Sequence, residues 1–365
     1  VRTQLFIDNE WRGAASGEAL EVVNPATEEA LATAAWAGPP DVDAAVAAAR
    51  RCFQGDAWQQ LSPRRRGALL HRAGRLLEAR SQEMAELETR QNGKPLFESK
   101  IDVASTVETL QYYGGWADKL AGAVLPVHAP DFVYTVREPL GVVGAIVPWN
   151  FPLNLASWKF APALAAGCTV VLKPAPETPL TALAMAEIMQ EAGFPPGAFN
   201  VVPGDGPTTG AALVRHPDVD KIAFTGSTAV GKQVMRDAAE TVKRVTLELG
   251  GKSPNIIFAD ADLEAAVKGA QNGIFYGKGE VCAAGSRLLV EQAVHDEVVA
   301  RLAARAQKLT PGDPLTKGTR IGAIASKRQH EKVLSYIESG KREAKLVVGG
   351  RAAQVNGKGY FVEAT

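Results

Sequence analysis

Cysteine is scarce in this 365-residue chain: it holds three, Cys52, Cys168 and Cys282, far apart and with no CxxC or CxxH neighbour. That excludes a disulfide framework and a structural zinc site, and no metal is expected. Excess charge is missing too, since 40 Lys and Arg balance 40 Asp and Glu, so no polyanionic partner is indicated. Three short basic clusters, at 64–66, 243–244 and 341–342, sit inside helical or strand patterns. They read as solvated faces, not as a nucleic-acid surface. No apolar run of 18 residues occurs, and the opening residues have no apolar signal core. Neither a membrane span nor export is expected, and a reducing cytoplasm is the expected location.

What is present is ordinary globular composition, 46% hydrophobic and 22% charged, at a length that predicts two domains. The N-terminal region is turn-rich, with Asn9, Gly13, Gly17 and Asn24-Pro25 between short strand-like pieces. Helical patterns follow. Asp41 is placed to cap a helix over 42–53, and Ser62-Pro63 supplies a capping hydroxyl and a first-turn proline to the next helix. There Leu69, Leu70, Ala73, Leu76 and Leu77 recur at helical spacing. A longer helix is predicted over 96–120. From Gly141 the texture alternates, with strands at 141–147, 169–172, 199–202, 221–224 and 244–249. Helices at 155–166, 180–192, 208–214 and 230–239 separate them. Short apolar strands alternating with helices indicate βαβ units, hence an α/β fold with a doubly wound parallel sheet. A second α/β set starts with a strand at 255–258 and a helix at 263–275. Residues 124–137 alternate as a hairpin outside the main sheet, an edge suited to pairing with another subunit.

Two separated residues carry the chemistry. Cys282 lies among small residues in Gly277-Lys-Gly-Glu-Val-Cys-Ala-Ala-Gly-Ser-Arg287, where a substrate carbonyl can approach it closely. Glu248 opens the Gly-rich turn Glu248-Leu-Gly-Gly-Lys, where a carboxylate can reach a water. A thiolate that attacks and a carboxylate that later activates water together suggest covalent catalysis. Read alone, Cys282 would more often be a small core residue and Glu248 a strand-end charge, and the flanking motifs reverse that balance. Gly226 and Ser227, in a strand-to-helix turn, suit a pyrophosphate at the helix N-terminus. The neighbouring run 204–210 has the wrong final spacing for the dinucleotide fingerprint, and either turn alone would more often be structural. Asn150, in Pro148-Trp-Asn-Phe-Pro152, ends a strand where open α/β sheets bind ligands. Its amide can donate to an oxyanion, a contact worth about 3 kcal/mol, or merely cap the turn. Lys173 ends another strand and reads as a ribose or phosphate contact or a surface lysine.

Taken together these motifs resemble the NAD(P)-dependent aldehyde dehydrogenase superfamily across nearly the whole chain. Pro-Trp-Asn-Phe-Pro, Lys-Pro-Ala, Gly-Pro-Thr-x-Gly, Phe-Thr-Gly-Ser-Thr, Glu-Leu-Gly-Gly-Lys and Cys-x-Ala-Gly-Ser-Arg stand in family order and at family spacing. The resemblance implies a Rossmann-like cofactor domain over 1–123 and 138–247, a bridging and oligomerisation hairpin over 124–137, and a catalytic domain from 248. It implies Cys282 as nucleophile, Glu248 as general base, and Asn150 with the Cys282 N–H as oxyanion hole. NAD, with NADP as the alternative, would contact Ile146, Trp149, Lys173, Gly206, Pro207, Phe224, Gly226, Ser227, Val230 and Leu249. Phe151, Leu155, Trp158 and Tyr276 would line a tunnel for an apolar small-molecule aldehyde, and the protein would be a homodimer or homotetramer.

Three departures stand out. Pro176 replaces a Glu found three residues after the lysine in many NAD-preferring members. Gly277, Lys278 and Glu280 replace the common Asn, Gln and Gln before the nucleophile. The chain also stops at Thr365, before a Glu-Ile-Phe-Gly-Pro-like motif and the last oligomerisation strand, so a longer functional protein is expected. Against an aldehyde dehydrogenase stand a CoA-acylating relative, which usually lacks the Glu base, and a silent structural or binding paralogue. A thiol hydrolase would need a histidine, and His295 and His330 fall in predicted surface helices.

Overall fold

The computed structural model describes residues 2–365. Its first compact unit comprises residues 2–20, Ala34–Met84 and Asp102–Glu248. At its centre is a seven-stranded sheet in the order Arg244–Leu249, Lys221–Gly226, Val142–Ile146, Thr169–Lys173, Phe199–Val201, Leu5–Ile7, Glu10–Arg12. The four strands from Lys221–Gly226 to Phe199–Val201 run parallel, and the N-terminal hairpin adds two antiparallel strands at one edge. Every residue of Val142–Ile146 and Thr169–Lys173 is buried, as expected for apolar strands covered on both faces. Helices Pro39–Gln54 and Pro152–Ala165 pack on Thr169–Lys173, and Leu180–Ala192 packs on Phe199–Val201. The α/β alternation predicted from sequence is thus the observed architecture.

Connectivity creates a crevice. From Val142–Ile146 the chain moves to one side through Thr169–Lys173 and Phe199–Val201, then crosses to Lys221–Gly226 on the other side. Loops leaving the carboxyl ends of two neighbouring strands therefore diverge between Ile146 and Gly226, where ligands of open α/β sheets bind.

Two local expectations are corrected. Helix Pro39–Gln54 starts ahead of Asp41 because Pro39 and Pro40 suit a first turn that needs no N–H donors. Asp41 lies inside that turn and accepts from Gly38 N at 2.9 Å and Ala15 N at 3.0 Å. The helix predicted over 208–214 is preceded by a widened turn, Gly206–Gly210, and is itself limited to Ala211–Arg215. Asp205 accepts from Thr208 N at 2.7 Å and Thr209 N at 3.2 Å. Gly210 N donates five residues back to Asp205 O at 2.9 Å.

Strands Val124–Leu125 and Val133–Tyr134 pair antiparallel as a separate ribbon. The second unit comprises Glu21–Thr33, Ala85–Ile101 and Leu249–Thr365. In it Pro254–Ile257 pairs in parallel with Arg287–Val290, and Ile257, Val267 and Val298 form a core with the helices Leu263–Phe275 and His295–Ala306. Ala352–Val355 and Lys358–Val362 form an antiparallel pair against helix Lys327–Glu343. Among the described residues no helix is long and apolar enough to cross a membrane.

Candidate active site

Around the crevice of the first unit, each strand end carries one of the candidate residues. Buried Ile146 ends its strand, and Trp149, Asn150 and Phe151 form the turn that Pro152 converts into helix Pro152–Ala165. Leu155 lies on that helix and is buried. Lys173 is 2% exposed, and its Nζ donates to Pro174 O at 2.8 Å and Gly204 O at 2.9 Å. Loss of hydration pushes its ammonium down to about 8, with Glu177 and Asp205 opposing the shift. Gly206 and Pro207 are exposed on the neighbouring turn, and a side chain at Gly206 would enter open space.

Across the crevice Ser227 caps the 12-residue helix Thr228–Ala239, its hydroxyl accepting from Val230 N at 3.3 Å. Phe224 is buried behind this turn, and a Cβ on Gly226 would lie 2.5 Å from the Phe224 ring. Glycine is therefore required where the backbone passes over that ring. Val230 is exposed on the first turn of the helix.

Glu248 projects from the edge strand Arg244–Leu249, on the same face as Thr246. Both line a cavity of ≈ 920 Å³ together with Trp158, Lys159, Cys168 and Lys221. Lys159 is 9% exposed. Burial lowers its ammonium to about 8, while the Glu248 carboxylate pulls it back up. No motif announces Lys159. Its one sequence signal is that it is the single charged residue of helix Pro152–Ala165.

In the second unit, Cys282 is the exposed one of the three cysteines. Its loop is closed by Ala284 N donating to Val281 O at 3.2 Å and by Gly285 N donating to Gly273 O at 3.0 Å. A Cβ built on Gly251 would sit 3.9 Å from the Cys282 carbonyl oxygen, so the Gly250-Gly251 turn brings backbone close to the Cys282 loop. Leu249 opens this turn and is half-buried. Tyr276 lines a cavity of ≈ 510 Å³ with Phe97, Val281 and Arg320.

A model of the aldehyde dehydrogenase family matches residues 11–365. The chain belongs to that family. Aldehyde dehydrogenase 1A1 of Homo sapiens is 49% identical over 367 residues, covering 100% of this chain and 73% of that protein. The NAD⁺ complex of an aldehyde dehydrogenase from Bacillus cereus superposes with a TM-score of 0.97 at 47% identity, covering 100% of this chain and 74% of that one. PnpE from Pseudomonas sp. WBC-3, in complex with nicotinamide adenine dinucleotide, gives 0.97 at 44% identity, covering 100% and 75%. In this aldehyde dehydrogenase the segment ahead of Cys282 carries charge: the Lys278 and Glu280 side chains are only 2% and 4% exposed and lie 2.9 Å apart.

Proposed function

We propose that this chain oxidises an aldehyde to a carboxylic acid with NAD, through a thioester on Cys282 that is hydrolysed with Glu248 as general base. The observation that carries the reading is the exposure of Cys282 in a tight loop of small residues, since free cysteines are otherwise among the most buried side chains. Cys282 Sγ attacks the aldehyde carbon, and the Asn150 amide and the Cys282 N–H donate to the oxygen that becomes negative. When bound, NAD supplies the hydride acceptor that takes RCHO and water to RCOOH. Cys282 then holds the acyl group while Glu248 removes a proton from the water that displaces it. Buried Lys159 faces the same cavity as Glu248 and is suited to accept that proton.

The residues present fit a dinucleotide. The N-terminal end of helix Thr228–Ala239 is attractive to a pyrophosphate, with Gly226 admitting close approach. An ammonium has three donors, and Lys173 commits two of them to backbone carbonyls. Its remaining capacity suits a ribose hydroxyl. Ile146, Trp149, Gly206, Pro207, Phe224, Val230 and Leu249 are the further contacts we assign. NAD, rather than NADP, is favoured because two relatives are solved with NAD.

In this reading the first unit holds the cofactor and the second carries the nucleophile. Phe151, Leu155, Trp158 and Tyr276 select an aliphatic or aromatic aldehyde. Exposed Val124, Val127, Phe132, Tyr134 and Val136 on the ribbon support pairing with a second copy in a homodimer or homotetramer.

Rapid-mixing measurement of NADH tests the mechanism. Glu248→Gln is expected to give a burst of NADH followed by slow turnover, and Cys282→Ala to give no burst. Normal aldehyde oxidation by Cys282→Ala would reject it.

A further inference from the structure

The loop that carries Cys282 is held by buried charge. Gly277 and Lys278 both occupy the left-handed region, with φ of 59° and 61°, a conformation that is uncommon for lysine. At Lys278, then, local preference does not hold the backbone, and its side-chain contacts do. Lys278 Nζ donates to Asn92 O and to Asn92 Oδ1, each at 3.0 Å. The carbonyl closes the C-terminal end of helix Ser81–Asn92, where a cation is favoured. Glu280 pairs with Lys278 at 2.9 Å and accepts from Ala325 N at 3.2 Å. Glu98 accepts from Gly277 N at 3.2 Å. Beside them Lys94 and Glu88, with side chains 1% and 0% exposed, lie 3.9 Å apart.

Burial lowers the Lys278 ammonium and raises the Glu280 carboxyl, and each charge opposes the other's shift. Such a pair adds little stability over neutral side chains of equal size, because desolvation offsets the attraction. What it adds is direction: charge-assisted hydrogen bonds are short and geometrically demanding. The two anchors lie four and two residues before the nucleophile.

We infer that Lys278 and Glu280 form a positioning pair that aims Cys282, a role for which the neutral amides common at these positions in the family have no charge. The inference rests on Cys282 being the nucleophile. Alkylation of Cys282 by iodoacetamide, located by mass spectrometry, reads the loop with neither aldehyde nor NAD present, so it fails or succeeds independently of the dehydrogenase mechanism.

The experiment compares Lys278→Gln, Glu280→Gln and the double variant in alkylation rate, kcat, KM and NAD affinity, with thermal melting as the check on folding. Each single variant is expected to alkylate more slowly and to lose about tenfold to a hundredfold in kcat, with KM and NAD affinity nearly unchanged. The double variant, free of an unpaired buried charge, is expected to recover most of that loss. Should a single variant not fold, Lys278→Arg and Glu280→Asp replace them, keeping both charges while moving their anchor points. The same fall in kcat and alkylation at unchanged KM is expected there. Folded variants with wild-type alkylation and kcat would overturn the inference, as would a double variant whose losses are the product of the singles.

Discussion

Lys173 Nζ donates to the carbonyl of Gly204 at 2.9 Å, tying the end of strand Thr169–Lys173 to the turn that follows its parallel neighbour Phe199–Val201. One ammonium thus sets the spacing of two loops at the mouth of the crevice.

This bond makes Lys173 testable by pH. Its folded-state value, about 8, lies below the ordinary 10.5, so above pH 8 the unfolded chain binds more protons than the folded one. Stability relative to Lys173→Met is therefore expected to rise as pH rises from about 8 towards 10.5. Paired melting curves across that range check the sign. A constant difference between the two proteins would show that Lys173 is not titrating as a buried ammonium. At pH 7 the same variant is expected to weaken NAD binding by about tenfold, the equivalent of one hydrogen bond from a charged group, as read by fluorescence titration.

Lys159 bears on turnover instead. Below about pH 8 it is charged, and above that value it is neutral and able to take a proton from Glu248. With Glu248 intact, the thioester-hydrolysis phase of turnover, followed in single-turnover mixing, is expected to accelerate with pH through an inflection near 8. Lys159→Met is expected to abolish the inflection and slow that phase on the order of a hundredfold, the scale of one proton-transfer group. An unchanged pH profile in the variant would remove Lys159 from the proton path.

Pro176 concerns cofactor choice. It is half-buried, three residues after Lys173, and offers neither an acceptor for a 2′-hydroxyl nor a charge to repel a 2′-phosphate. Pro176→Glu is expected to shift the ratio of kcat/KM for NAD and NADP towards NAD by about 1–2 kcal/mol. An unaltered ratio would mean that position 176 does not read the ribose.

Much of the architecture was legible in the linear order of residues. Apolar strands such as Thr-Val-Val-Leu-Lys at 169–173, alternating with helices, dictate an α/β sheet because such strands are stable only when covered on both faces. Motif spacing identified the family, since close backbone approaches leave glycine as the only tolerated residue, as at Gly226 under the Phe224 ring. Less local features were not legible. Asp41 reads as a helix cap until Pro39 and Pro40 are seen to start the helix before it. Lys159 carries no motif: burial lowers its ammonium and Glu248, on a distant strand, partly restores it, and neither is visible in the residues beside it. Lys278 and Glu280 read only as replacements for the common amides ahead of Cys282, yet folding withdraws both from water and pairs them. Local backbone preference and hydrophobic period are written in neighbouring residues. Desolvation and charge pairing depend on which distant segments meet, and the tertiary structure alone decided those.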